Sequence, residues 1–392
     1  VPKGNLVWGI DIGTGKVAVS LIEHDSKGAF FVRSVGVAGS QGVKRGTIHG
    51  YELLNTSLGR ALKQASEGQK IHGTIPAFIN LSGENIIVRR PTFKVAIKGK
   101  VPKVKKNEIE YLAKQISKDG VRAGEHLLHT QALSYVLDGG KAVEQPIGLP
   151  ARNVERQVFQ VSILKEEVKD LIKFGQAFKL DVQALVFNPY ASAEIMLSDE
   201  EKKSGVVQIE MGAGVCNVSL WRGGCLEMSE NFFVAGGHVE SDIAHVLKIS
   251  QNEARRLLFE QAQVMPAEIS NRKIEVRASE GHEKYQVGHD FLCKVVQSRM
   301  HEILSLAWHR MQRWKKFTQV PARVVLSGGL AQINKIDEFC ARIFEMPVRR
   351  GIPEEKWDLI DDPMYTQSIG ICLYAKKLGL LQPQSFFKKL LG

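Results

Sequence analysis

Cysteine is scarce and ill-arranged for any framework: five in 392 residues, at 216, 225, 293, 340 and 372, with no CxxC pair. An odd, widely spaced set argues against a disulfide scaffold and a zinc cluster alike, and fits a reducing cytoplasm. Long apolar runs are missing too. No window approaches the roughly 18 residues of a membrane span. The opening VPKGNLVWGID enters a strand pattern at once, without the basic-then-apolar leader of an exported chain, so neither crossing nor export is expected. The composition, 44% hydrophobic and 24% charged, allows a large core and two or more domains, and is silent on function.

Charge is lopsided, with 53 Lys+Arg against 42 Asp+Glu for a net +11, which makes polyanions plausible neighbours. KGKVPKVKK (98–106) has Pro102 and no apolar period and reads as a solvated loop. WHRMQRWKKF (308–317) interleaves Trp308 and Trp314 with Arg310, Arg313, Lys315 and Lys316, a mix able to stack bases. Yet Val295, Val296, Met300, Ile303, Leu304, Ala307, Met311 and Trp314 fit one helical face. The aromatics are therefore expected in a core and the basics on a wet face. No nucleic-acid-binding signature is present, and no nucleic-acid partner is expected.

The chain is organised by a repeat. DIGTGKVAVSL (11–21) aligns without gaps on EMGAGVCNVSL (210–220), pairing Gly13 with Gly212, Gly15 with Gly214, and Val19, Ser20 and Leu21 with Val218, Ser219 and Leu220. Each copy follows an apolar strand and precedes an alternating one, so both read as hairpins with glycine-rich tips. Glycines let backbone N–H groups approach phosphate oxygens, and a strand-end carboxylate can hold hydrated Mg²⁺. A single such tip is equally a plain hairpin; two facing copies would clasp a nucleotide tail between domains.

Two further glycine elements follow. FVAGGHVESDIAHVL (233–247) places Gly236-Gly237 before a helix carrying Asp242, and RVVLSGGLAQI (323–333) runs a strand into Ser327-Gly328-Gly329 and Leu330. Either can carry a base or ribose against bare backbone, or be a simple strand-to-helix turn. Four such elements in this order resemble the α/β actin/Hsp70/sugar-kinase ATPase fold, with two duplicated α/β domains around a nucleotide cleft.

Features outside the loops narrow the resemblance. GVKRGTIHGYELL (42–54), HLLHTQALSYVLDGG (126–140), QPIGLPA (145–151), NPYASAEIMLSDEEKKSGV (188–206), VLSGGLAQI and VRRGIP (348–353) together resemble FtsA, the actin-like bacterial cell-division family, through nearly the whole chain. The resemblance implies subdomain 1A from 4–83, 164–200 and 361–382, an inserted subdomain 1C at 84–163, 2A from 201–236 and 322–360, and 2B at 237–321. Read by itself, 84–163 is a small α+β module of strands and one helix.

The same resemblance assigns the site. Asp11 stands as the metal-side carboxylate, with Gly13, Thr14, Gly15 and Lys16 as phosphate contacts. Gly212, Ala213, Gly214, Val215 and Asn217 form the second loop, and Gly236, Gly237, Glu253, Arg256, Gly328, Gly329 and Leu330 complete a nucleotide site for ATP and Mg²⁺. Asp11, Asn188 and Glu210 are the candidate catalytic positions. This chain departs in the second loop, where relatives usually read D-I-G-G-G-T-T-D and here stands Glu210, Met211, Gly212, Ala213, Gly214, Val215, Cys216, Asn217. It departs again before NPYASAE, where a usual glutamate is Asn188, an amide that can orient water but not accept its proton. Near 253 the residues usually offered to ribose and base align with Arg255 and Leu258. Binding with slow or absent hydrolysis is expected, a loop too altered to hold nucleotide being the alternative.

After Pro383 the chain ends QSFFKKLLG, with Phe386, Phe387, Leu390 and Leu391 on one helical face and Lys388 and Lys389 on the other. That pattern suits a helix (384–392) lying in an anionic membrane surface, or a tail packed on its own domain. The resemblance implies a polymerising tether at the division site. It would sit peripherally on the cytoplasmic face of the inner membrane, self-associate, bind the FtsZ C-terminal tail through 2B and receive later division proteins through 1C. Lys294 and Arg299 are the candidate contacts for the acidic FtsZ tail. Rivals on the same fold are a scaffold of pilus assembly and a small-molecule kinase.

Overall fold

The computed structural model describes residues 5–25, 29–119, 121–265, 270–278, 284–314, 323–353 and 363–381. The tail residues Phe386, Phe387, Lys388, Lys389, Leu390 and Leu391 lie outside them.

Two five-stranded sheets carry the repeat. The first runs Leu180–Phe187, Ile75–Leu81, Asn5–Ile12, Lys16–His24, Phe30–Gly39. Its last three strands pair antiparallel and its first three parallel. The second runs Cys225–Phe232, Cys216–Arg222, Val206–Met211, Val324–Ser327, Val348–Arg350, with the same parallel and antiparallel pairings in mirrored order. Both sheets are covered on two faces, which is why their central strands read as nearly unbroken β-branched and aliphatic runs rather than alternating ones.

The gapless alignment of 11–21 on 210–220 has a structural counterpart in register. Asp11 faces Ala18 and Ile12 faces Val17 in the first hairpin; Glu210 faces Asn217 and Met211 faces Cys216 in the second. Each strand therefore delivers its acid to the same place beneath its glycine tip.

Residues between Ile87 and Leu164 form a separate antiparallel sheet around the paired strands Glu125–Leu137 and Asn153–Leu164. The helix Lys106–Asp119 closes a small core of Ile97, Val104, Leu112, Tyr135, Ala151 and Val154. The second lobe packs the helices Gly236–Leu247, Gln251–Glu260, His289–Arg313 and Ile336–Phe344 into one core with its sheet. In His289–Arg313 the apolar face lies where the heptad-like spacing puts it, with Val296, Met300, Ile303, Leu304, Ala307 and Met311 fully buried. Trp314 is buried and donates its indole N–H to Glu230 Oε1 at 2.8 Å, while Trp308 stacks on Phe344. No helix among the described residues is long and apolar enough to cross a membrane.

Candidate functional site

The two hairpin tips meet. Gly13 N–H donates to Lys16 O and Gly212 N–H to Val215 O, each at 2.9 Å, so the two turns close identically. A Cβ on Gly214 would stand 2.4 Å from Thr14 Oγ1 and 2.7 Å from Thr14 Cβ, and one on Gly15 would stand 2.8 Å from Ala213 Cβ. Only residues without side chains at these points let the lobes approach this closely. The N–H groups of Thr14, Gly15, Ala213 and Gly214 have no acceptor among the described residues. Unpaired amides converging on one space are what a bound anion requires.

The residues around that space line a cleft of about 460 Å³, within the range of cofactor sites. Ser327 is 3% exposed, yet its hydroxyl faces no hydrogen-bond partner among the described residues. It lies on the cleft wall beside Gly328, which holds φ +83 with Met211 backbone atoms 2.5 to 2.8 Å from where a Cβ would stand. An orphaned buried hydroxyl and a backbone stripped of side chains fit a polar ligand with a flat or sugar-like part.

Beneath the tips runs a chain of polar contacts joining the two lobes. Lys16 Nζ pairs with Asp11 Oδ2 at 2.9 Å and also donates to Met364 O. Asn80 Nδ2 donates to Asp11 Oδ1 at 2.5 Å and to Asn188 Oδ1 at 2.7 Å, while Asn80 Oδ1 accepts from Ile12 N–H. Asn188 Nδ2 then donates to Glu210 Oε1 at 3.0 Å, and Ser192 Oγ to Glu210 Oε2 at 3.2 Å. Burial pushes the Glu210 carboxyl up to about 7, the nearby Asp11 carboxylate adds to the rise, and the Asn188 and Ser192 bonds and Lys16 oppose it. The first lobe thus offers an acid paired with a lysine, the second an acid poised between neutral and charged.

Asp11, Gly13, Thr14, Gly15, Lys16, Asn188, Glu210, Gly212, Ala213, Gly214, Val215, Asn217, Gly236, Gly328, Gly329 and Leu330 all line this cleft. Three of the expected residues do not. Gly237 donates its N–H to Ala213 O at 2.7 Å, as Gly236 does to Gly212 O at 2.9 Å, so the helix start braces the second loop from behind. Glu253 and Arg256 pair with each other at 2.7 Å and line a different hollow with Arg272 and Arg277. The physical reason is helical phase. In Gln251–Glu260 the apolar stripe Ala254, Leu257 and Leu258 is buried, leaving two polar flanks, and the one turned to the cleft carries Arg255 and Phe259. Asn80, Ser192, Glu240 and Phe259 have no place in the sequence reading, and Arg255 and Ser327 appear in it without being assigned to the site. Asn80 stands in an ordinary strand with no motif to mark it, and Ser192 lies within NPYASAE, where nothing singles out its hydroxyl.

Asp11 is the expected metal-side carboxylate; its oxygens here hold Lys16 and Asn80, and no cluster of three or more metal-ligating side chains exists among the described residues. Asn217 lines the cleft but its amide is occupied by Ser229 and Asn231 at 2.8 and 2.7 Å. Of the basic pair on the long helix, Lys294 is exposed and pairs with Asp290 at 3.2 Å, whereas Arg299 is forked onto Asp242 at 2.6 and 3.1 Å and also held by Glu302. The two basic side chains are therefore already neutralised by local acids.

Comparison with known proteins agrees with this architecture. Residues 207–370 match the family model for cell division protein FtsA, and residues 83–162 match that for the SHS2 domain inserted in FtsA. The cell division protein FtsA of Pseudomonas aeruginosa is 27% identical across 98% of this chain and 91% of its own length. That of Escherichia coli K12 is 26% identical across 96% and 91%. Among solved structures, the PilM–PilN type IV pilus biogenesis complex superposes with a TM-score of 0.65 at 12% identity, over 96% of this chain and 99% of that one. MreB 5 of Spiroplasma citri bound to AMPPNP gives 0.55 at 13%, over 96% and 98%. At such identities the solved structures establish the fold alone, which is the actin-like ATPase fold. The two family models and the full-length relatives carry the finer assignment: this chain belongs to the FtsA family of cell division proteins.

Proposed function

We propose that this protein binds ATP across its two hairpin tips and uses it as a tie between lobes, with hydrolysis slow or absent. The observation that carries the reading is the pair of facing glycine tips with four unpaired amides between them. Backbone amides of both loops and Lys16 would hold the phosphates, Asp11 would hold hydrated Mg²⁺, and the Gly328-Gly329 strand end and Ser327 would take the ribose or base. Bound Mg²⁺ would supply charge neutralisation at the phosphates. Asn188 has its amide committed to Asn80 and Glu210, and an amide does not take a proton from water, so the reading is one of binding rather than turnover. The purified chain should bind ATP with micromolar or tighter affinity and turn over well below about 1 s⁻¹. Turnover at or above that rate contradicts the structural role, and no binding contradicts the site.

The reading extends to the cell. The subdomain limits set out from the sequence, a filament of such subunits, attachment of the FtsZ C-terminal tail to the second lobe, docking of later division proteins on the inserted domain, and a peripheral place on the cytoplasmic membrane face at the division site are all part of it. Residues 384–392 would lie in the anionic surface. An eight- or nine-residue amphipathic helix is a marginal anchor alone, and many such tails in one filament bind by avidity. Flotation with anionic liposomes should be lost on deleting 384–392; unchanged flotation removes the tail from the account. The small-molecule kinase reading is disfavoured by the missing carboxylate at 188, and the pilus resemblance extends only to the fold.

A further inference from the structure

We propose that Arg255 is a phosphate-binding cation of the cleft, fixed in place by Glu240, and that it supplies the hydrogen-bond donors which Val215 and Cys216 leave out of the second loop. The inference rests on the nucleotide reading above and adds a residue, a position and a role to it.

Local structure puts Arg255 there. Ser250 caps the helix Gln251–Glu260, its hydroxyl accepting from Glu253 N–H at 3.2 Å, and burial of Ala254, Leu257 and Leu258 sets the rotation of the helix. Glu240 stands on the neighbouring helix Gly236–Leu247, which is itself pinned to the second loop through Gly212 O and Ala213 O. Its largely buried carboxylate receives the guanidinium as a fork, Nε to Oε1 at 2.8 Å and Nη2 to Oε2 at 3.1 Å. A two-point grip fixes direction as well as distance.

The fork aims the guanidinium across the cleft. Arg255 Nη2 lies 3.6 Å from where a Cβ of Gly15 would stand, so a side chain of the second lobe reaches the tip of the first loop. A guanidinium has five N–H donors. Two are used on Glu240, and the others have no acceptor among the described residues. Charge completes the case. The charged side chains lining the cleft are Asp11, Glu210 and Glu240 against Lys16 and Arg255, and Lys16 is already tied to Asp11. Without Arg255, three carboxyl groups would face an incoming phosphate chain with a single, committed ammonium. Arg255 has three donors to spare where Lys16 has one, beside loop amides that also lack acceptors.

A purely structural Arg255–Glu240 tie between helices is the competing explanation, and the test separates the two. ATP affinity of the full chain is measured by titration calorimetry at several salt concentrations, beside thermal melting without nucleotide. The variants are Arg255→Leu, Arg255→Lys and the neutral pair Arg255→Gln/Glu240→Gln. Arg255→Leu should weaken ATP about tenfold or more and Arg255→Lys about threefold, because the lysine keeps charge but not the fork. The neutral pair should lose ATP affinity like the leucine variant while melting within about 2 °C of wild type, and its affinity should depend less on salt. If the neutral pair binds ATP as tightly as wild type, the role assigned to Arg255 is overturned and the nucleotide reading stands. If wild type binds no ATP, both fall together.

Discussion

The two glycine hairpins share a backbone and differ in chemistry. Register, turn closure and the position of the strand-end acid coincide, yet Asp11 sits in an ion pair with Lys16 while Glu210 is held by two neutral donors. The side chain longer by one methylene takes Glu210 to Asn188 and Ser192, and burial there favours the protonated form. Duplication of the fold therefore fixes where the tips go and leaves what they do to individual side chains. The first loop is equipped to grip an anion, whereas the second lines the space and relies on its backbone.

Substitutions should expose that asymmetry to different degrees. The largest effect is expected from Gly214→Val, which forces Thr14 and its strand away. ATP binding should become undetectable by calorimetry, with stability lowered by about 2 kcal/mol in denaturant unfolding. Next comes Lys16→Ala, which strips the partner from an Asp11 that is 6% exposed. ATP affinity should fall about 30-fold, roughly 2 kcal/mol, and an equal loss from a second-loop polar change would erase the contrast between the loops.

Glu210→Gln has a smaller, pH-dependent effect. The folded carboxyl titrates near 7 against an ordinary value of 4.5, so between those limits the folded state keeps a proton that the unfolded chain has lost. Stability of the wild type should decline as pH rises from about 4.5 to about 7 and level off above. Glu210→Gln should remove that decline, standing on the order of 2 kcal/mol above wild type at pH 8 relative to pH 5 in denaturant melts. Parallel stability profiles would show that burial does not raise the Glu210 carboxyl. Smallest of all, Val215→Thr restores a hydroxyl at the second tip and should tighten ATP about twofold to threefold by calorimetry.

The parts that the sequence revealed are those fixed by short-range pattern. The repeat could be aligned because strand, tip and strand are contiguous, and the buried face of His289–Arg313 follows from the spacing of its apolar residues. What escaped depends on how distant pieces dock. The sequence of Gln251–Glu260 shows an apolar stripe with a polar flank on either side. Nothing within ten residues says which flank meets a cleft formed by another lobe, and the resemblance points to Glu253 and Arg256 where the cleft is lined by Arg255 and Phe259. Asn80 was invisible for a similar reason: it lies 69 residues from Asp11 and 108 from Asn188, and only the assembled sheet brings the three together. Gly237 reads as a phosphate-facing helix start, but its N–H serves a carbonyl of the loop behind which it sits.

One measurement bears on the central claim most directly: amide hydrogen exchange of the purified chain with and without saturating Mg-ATP. The account predicts slowed exchange on nucleotide addition at both tips, residues 13–16 and 212–215, because a single phosphate chain would draw on amides from each. Protection confined to one tip, or absent from both while ATP is bound elsewhere, would contradict it.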